Sequence, residues 1–491
     1  MRRLLPLIPV ILLCSVGWAQ TPTLVQHVSC PSSRNTGNAQ SSTPDYVCPL
    51  PEPSQAGNAL LLGVVSSKGA AFSVSDDRSN SWVLVDSIND GNNDFVGIYL
   101  ATNVAAGTRF IRFHRSAETG NVALSASEYY NIAPSSTVDA HHCNSSSNTT
   151  SVSAGNITPG SSGDLLWQWA INSGGGGGTP DSTSSFTVGS QPNINWQFNG
   201  TDLYDGDAVQ AGVYTSSGTI NPTFTSGTTQ DFDSCVMALR AANAGKAPNN
   251  SFRIVHMLHQ QMPTGAANPW PIQFPSSGNL IVMSALTGKS SISSVSSTPS
   301  NTWSSTGSPA MGGTSVSQIY YAGKANTSNS LRLSVTRNNN VGDSTFMMYD
   351  FIGASTSPFD VDSGGQSGEA NSIASALTTC SSCITPSSAN EVVIANFGQE
   401  WCTATGIKSP SGALFDSAID TGNSNSGPQS VDQNNGWMHY YASGTSTVTA
   451  TWAESCQSTP QGGWGGRMAA FKAGQAGSPP LPPTGLKAVV Q

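Results

Sequence analysis

Cysteine is the residue type with the clearest chemical meaning in this chain. Cys14 lies in an apolar N-terminal stretch, and Cys30, Cys48, Cys143, Cys235, Cys380, Cys383, Cys402 and Cys456 follow it. An even set in an exported chain reads as a disulfide framework. Cys380-Ser381-Ser382-Cys383 has the spacing of redox motifs and zinc knuckles. Redox use would want a βαβ context, and zinc would want a second pair at finger spacing. The flanks Leu377-Thr378-Thr379 and Ile384-Thr385-Pro386 read as strand and loop, so a small structural disulfide is expected. With those two paired, Cys402 and Cys456 are each other's partners. Cys30–Cys48 and Cys143–Cys235 are the matching pairs earlier in the chain, where other matchings stay open.

Other catalytic constellations are absent or ambiguous. No serine stands in a complete Gly-x-Ser-x-Gly frame; Gly365-Gln366-Ser367-Gly368-Glu369 and Gly422-Asn423-Ser424-Asn425-Ser426 lack the second glycine. His141-His142-Cys143 packs three ligand types together, but neighbours on a strand point to opposite faces. His27, His141 and His256 occupy similar points of related segments and read as strand histidines. Asp86, Asp90 and Asp94, and Asp202, Asp205 and Asp207 around Gly206, are oxygen-rich enough for calcium. Asp-Gly is also ordinary turn chemistry, so no cofactor is expected, with calcium the one ion these loops suit. Glycoside hydrolysis needs two carboxyl groups across a cleft. Glu400 and Glu454 each precede a cysteine by two residues. Antiparallel pairing of those cysteines would hold the two glutamates roughly 13 Å apart, too far for either hydrolytic geometry, whereas parallel pairing would bring them close. Trp437, after Asn434-Asn435-Gly436, and Trp464, within Gly462-Gly463-Trp464-Gly465, read as loop aromatics able to stack on sugar rings. The plainer reading of such rings is core filling, expected for Trp82, Trp303 and Trp452.

The elements that must position these residues are strands. Lys+Arg number 19 and Asp+Glu 28, while Gly (50) and Pro (29) are abundant. That composition excludes helical bundles and coiled coils. A net charge of -9 with few basic residues argues against nucleic acid. Residues 1–19 have the form of a signal peptide: Arg2-Arg3, an apolar run from Leu4 to Val16, then Gly17-Trp18-Ala19. The mature chain is expected to be secreted, extracellular or surface-associated, with no transmembrane anchor.

An apolar string recurs about every 110 residues. It appears as Gly57-Asn58-Ala59-Leu60, Gly163-Asp164-Leu165-Leu166, Gly278-Asn279-Leu280-Ile281 and Asn390-Glu391-Val392-Val393. Alternating runs with a period of two follow each copy, bounded by Gly, Ser, Asn and Pro. The first and third copies share Asn-x-Trp turns (Asn80-Ser81-Trp82, Asn301-Thr302-Trp303) and acid-aromatic ends (Glu128-Tyr129, Asp350-Phe351). The spacing predicts two large domains, 21–242 and 251–473, around a linker at 243–250. Each has two halves, 21–135 and 136–242, then 251–356 and 357–473, and a cut near Asn249 is expected to release two folded fragments. A Pro-rich tail occupies 474–491.

Ser277-Gly278-Asn279-Leu280-Ile281-Val282, Gln318-Ile319-Tyr320-Tyr321-Ala322 and Gly466-Arg467-Met468-Ala469-Ala470-Phe471-Lys472 carry a resemblance to tandem jelly-roll or immunoglobulin-like repeats of bacterial secreted and surface proteins. It implies an all-β fold of tandem β-sandwiches with internal duplication, and no catalytic residue. Thr484-Gly485-Leu486-Lys487-Ala488-Val489-Val490 is similar to the first strand of a fibronectin type III domain. The function expected is an exported, non-catalytic binding or adhesive module for polysaccharide or cell-surface glycan. The alternative is a secreted carbohydrate-active enzyme.

Overall fold

The computed structural model describes residues 20–474 except 31–44, 68–71, 90–93, 117–121, 174–183, 205, 249–250, 263–264, 314, 341, 343, 371–376, 379–383, 401, 409–413, 421–432 and 457–461. All regular structure among the described residues is β. The first unit holds β1 (Thr23–Ser29), β2 (Asp45–Pro49), β3 (Ala59–Ser67), β4 (Phe72–Asp76), β5 (Val83–Asn89), β6 (Asp94–Ala101), β7 (Phe110–Arg115) and β8 (Val122–Tyr130). The second holds β9 (Val138–Ser153), β10 (Asp164–Asn172), β11 (Phe186–Thr187), β12 (Gln197–Asp202), β13 (Asp207–Tyr214) and β14 (Thr223–Leu239). In the third are β15 (Arg253–Met262), β16 (Trp270–Ser276), β17 (Leu280–Gly288), β18 (Ile292–Thr298), β19 (Ser304–Ser305), β20 (Ala310–Gly312), β21 (Ser315–Gly323), β22 (Ser328–Arg337) and β23 (Ser344–Ile352). The fourth contains β24 (Ala354–Asp362), β25 (Gln366–Ala370), β26 (Leu377–Thr378), β27 (Glu391–Glu400), β28 (Cys402–Lys408), β29 (Leu414–Asp420), β30 (Gln433–Ala442), β31 (Thr451–Cys456) and β32 (Gly462–Ala473).

An eleven-stranded sheet joins the first and third units, because β1 and β15 pair in parallel with His27 opposite His256 and Ser29 opposite Leu258. Two related strands side by side and parallel are exchanged by a two-fold axis along the strands. Such an axis turns the sheet over. The small sheet β2-β7-β4 therefore covers one face and its counterpart β16-β22-β18 the other. On β3, Leu60, Leu62 and Val64 pack toward Cys48, Ile111 and Phe113, while Leu61 faces Trp167 and Trp169 of the second unit. On β17, Leu280 and Val282 meet Val392, Ile394 and Phe471 of the fourth unit, whereas Ile281 and Met283 meet Ile272, Leu331 and Leu333. A strand buried on both faces reads as an unbroken apolar run, which is why the repeated strings look as they do. One core runs from Val28 through Phe113 to Phe252, Tyr349, Trp437 and Phe471, so the segments on either side of 243–250 share a sheet and a core.

The Asn-x-Trp turns are structural and nearly superposable in chemistry. In the first unit Asp76 accepts Asn80 N (3.1 Å), Asn80 Nδ2 (3.0 Å) and Trp82 Nε1 (2.8 Å). In the third, Ser297 Oγ accepts Asn301 N (3.1 Å), Asn301 Nδ2 (3.2 Å) and Trp303 Nε1 (3.2 Å). Each Asn Oδ1 then accepts a distant backbone amide at 2.7 Å, from Ala105 or Asn326. Both indoles are half-buried against the core rather than inside it.

Candidate functional site

The two tryptophans expected in loops are both on strands. Trp437 lies on β30, opposite Asn396 of β27, and is fully buried beside His259, with ring centroids 5.7 Å apart. Asn434-Asn435-Gly436 continues that strand between β27 and β29 instead of forming a turn, so the Trp437 indole has no open face for a sugar. Trp464 sits on β32 between Gly368 and Gln399. Its half-buried ring stacks on Phe397, centroids 5.9 Å apart and planes 25° from parallel. The neighbouring glycines serve close packing: a Cβ on Gly465 would come within 2.9 Å of the Ala310 carbonyl. Trp401 lies outside the described residues, as does the side chain of Trp452.

Cys30–Cys48 and Cys143–Cys235 are disulfide-bonded. The first ties the end of β1 to β2, and the second links directly opposed residues of β9 and β14. Cys380 and Cys383 lie outside the described residues. The antiparallel register of β28 and β31 sets Cys402 opposite Cys456; their side chains are outside the description. Glu454 stands opposite Ala404 in that register, two residues beyond Cys402, whereas Glu400 is two residues before it. Glu400 ends β27, which belongs to a different sheet from β28 and β31, and the side chains of both glutamates lie outside the described residues.

His27, His256 and His259 lie on the two seam strands, β1 and β15. His27 Nδ1 is 2.8 Å from Ser127 Oγ, which also accepts Trp167 Nε1 at 3.0 Å. Burial, aided by His256, pushes the His27 imidazole well below its ordinary value. His256 Nδ1 meets Asp350 Oδ2 at 2.8 Å. His259 is pushed down to about 3 by burial alone. His141 pairs with Asp86 at 2.8 Å, and Cys143 beside it is oxidised. Asp202 and Asp207 accept backbone amides of their own turn, from Tyr204 (2.8 Å) and Asp202 (3.1 Å). Asp90 and Asp205 lie outside the described residues, and no group of three metal-ligating side chains occurs among those described.

Acids do carry a shared task that single-position reading missed. In every unit a buried carboxyl holds the turn that opens the repeated strand. Glu128 accepts Gln55 N (2.8 Å) and Asn58 Nδ2 (2.7 Å). Asp350 accepts Ser277 N (3.0 Å) and Ser277 Oγ (2.6 Å). Glu391 accepts Ser388 N (2.8 Å), and Asp139 accepts Gly160 N (2.5 Å). Burial raises Glu128 above the usual carboxylate range against the pull of these donors. Glu52 is likewise raised by burial, and it is bonded by Tyr441 of the fourth unit and by Ile254 N (3.3 Å). Arg253, whose guanidinium bonds the Val25 carbonyl, lies in the field of both glutamates. The acid-aromatic strand ends were the visible trace of this role; Tyr441 and Arg253 left none, because their partners are hundreds of residues away.

No family model, curated protein or solved structure matches the chain. The class defined by fold and site is thus an all-β, disulfide-bearing protein, with no helix among the described residues long and apolar enough to cross a membrane.

Proposed function

We propose that this chain is a secreted, non-catalytic binding or structural module whose ligand is a polysaccharide or cell-surface glycan. Its two duplicated segments, 21–242 and 251–473, are read as jelly-roll or immunoglobulin-like sandwich repeats. The observation that carries the reading is the employment of the acids. Glu52, Glu128, Asp139, Asp164, Asp350 and Glu391 are buried or nearly so and accept hydrogen bonds from turns and neighbouring strands, which leaves them unsuited to attack a substrate. Hydroxyl-rich strand surface remains for contact: Ser293, Ser294, Ser296 and Thr298 of β18 are exposed, and Trp464 offers the half-buried aromatic ring.

The test is co-sedimentation of the purified mature protein with a panel of insoluble polysaccharides and cell-wall fractions, run beside an assay for released reducing sugar. Binding without release is expected. Trp464→Ala should weaken binding about fivefold, the loss of roughly 1 kcal/mol of ring stacking. Sugar release that survives repurification would establish the enzyme instead, and absence of binding to every fraction would remove the glycan reading.

A further inference from the structure

Both duplicated segments place two carboxyl groups and one cation at the same point of their second half. In the second unit Asp139 accepts Gly160 N and is paired with Arg240, which follows β14 and also donates to the Ser136 carbonyl at 2.6 Å. Asp164, buried at the start of β10, is hydrogen-bonded to Asp139, and its Oδ2 has no partner. In the fourth unit Asp360 accepts Ser387 N and Ser387 Oγ, each at 2.7 Å, and pairs with Lys472 Nζ at 2.7 Å. Glu391, buried at the start of β27, is hydrogen-bonded to Asp360, accepts Ser388 N, and has an unpartnered Oε2.

Two touching carboxylates with one counter-charge, and one oxygen buried without a donor, are costly when both are ionised. A proton shared between them removes the repulsion and supplies the hydrogen bond that joins them. We propose that each pair is a proton-dependent latch: it fastens the turn before the opening strand, residues 158–163 and 385–390, while it holds a proton, and loosens that turn when the proton leaves.

The electrostatics agree. Burial and then Asp139 raise Asp164 to about 7, with only Arg240 and the Ala241 amide opposing. Burial would raise Asp139 too, but its bonds to Asp164, Gly160 N and Arg240 outweigh burial and hold it low. Burial raises Glu391, Asp360 adds to it, and Ser388 opposes. Asp360 and Lys472 are the charges that face Glu391, as Asp139 and Arg240 are those that face Asp164. A carboxyl with its folded value above its unfolded one stabilises fully below the unfolded value, and the contribution is lost as pH rises through the folded value. For Asp164 that loss runs from the ordinary aspartate range up to about 7 and is complete above it.

Hydrogen exchange read by mass spectrometry on the full chain, from about pH 4 to about pH 9, tests the latch. Protection factors of peptides covering 158–163 should fall as pH rises toward neutrality, by up to tenfold per pH unit if one proton controls opening, and level off above it. Asp164→Asn keeps the shape of the protonated acid and should hold that protection flat to pH 9; Glu391→Gln should do the same for 385–390. Flat wild-type protection in both turns, or an unchanged fall in the variants, overturns the proposal. Since the two sites are separate, a variant that fails to fold leaves the other copy to decide, and the wild-type profile decides even without either.

Discussion

The first and third units are built from the same strings, yet their small sheets are secured by different means. β2 is tied to the end of β1 by the Cys30–Cys48 bond. Its counterpart β16 belongs to a unit whose sequence has no cysteine, and every residue of β16 is buried. There Gln273 takes over. Its amide is bonded on both sides to the Phe186 backbone of the second unit, at 2.7 and 2.8 Å, and its carbonyl accepts Thr201 Oγ1 at 2.8 Å. One copy closes by a covalent bond within itself, and the other closes against its neighbour. Similar strands occur twice, and the surroundings decide how each is held.

The largest test of this comparison removes the surroundings altogether. The two segments share the seam β1–β15 and a core through Val28, Phe113, Tyr349 and Trp437. Calorimetry of the full chain should give one cooperative transition that includes both segments, and fragments divided near Asn249 should be poorly folded and expose apolar surface. Two fragments that melt cooperatively on their own would show that the seam only docks two finished domains.

A smaller effect is expected from the staple. Cys30→Ala with Cys48→Ala opens a loop of sequence separation 18 and should cost about 3 kcal/mol in denaturant unfolding. Gln273→Ala in the third unit should cost about 1–3 kcal/mol by leaving the buried Phe186 amide and carbonyl unpaired. A disulfide loss without effect would mean that the first unit also closes on its neighbours.

The smallest contrast lies in the Asn-x-Trp turns. Asp76 also accepts Arg78 N at 2.9 Å, and as a carboxylate it makes charge-assisted bonds. Ser297 does comparable work with one neutral hydroxyl. Asp76→Ala should therefore cost about 2 kcal/mol and Ser297→Ala about 1 kcal/mol. Equal losses measured by urea unfolding would mean that the turn backbone, rather than the acceptor side chain, holds the indole.

Much of this was legible in the chain before folding. Period-two alternation, turn residues and scarce charge determined an all-β protein, since those signals come from residues adjacent in sequence. The recurring Gly57-Asn58-Ala59 and Gly278-Asn279-Leu280 strings, the Asn-x-Trp turns and the acid-aromatic strand ends marked equivalent positions. Cysteine number and order offered the pairing of Cys30 with Cys48 and of Cys143 with Cys235 with other matchings open, and the folded chain forms those two bonds. Only the tertiary structure decided what covers each face. Trp437 looked like a loop aromatic because Asn-Asn-Gly is turn chemistry; a central strand between β27 and β29 claimed it, and the shared core buried it. The seam placing His27 beside His256, and the meeting of Asp139 with Asp164 and of Asp360 with Glu391, arise between segments distant in sequence. Local sequence sets backbone shape and which residues alternate. The partner that lies against a finished strand is chosen by the packing of the whole chain.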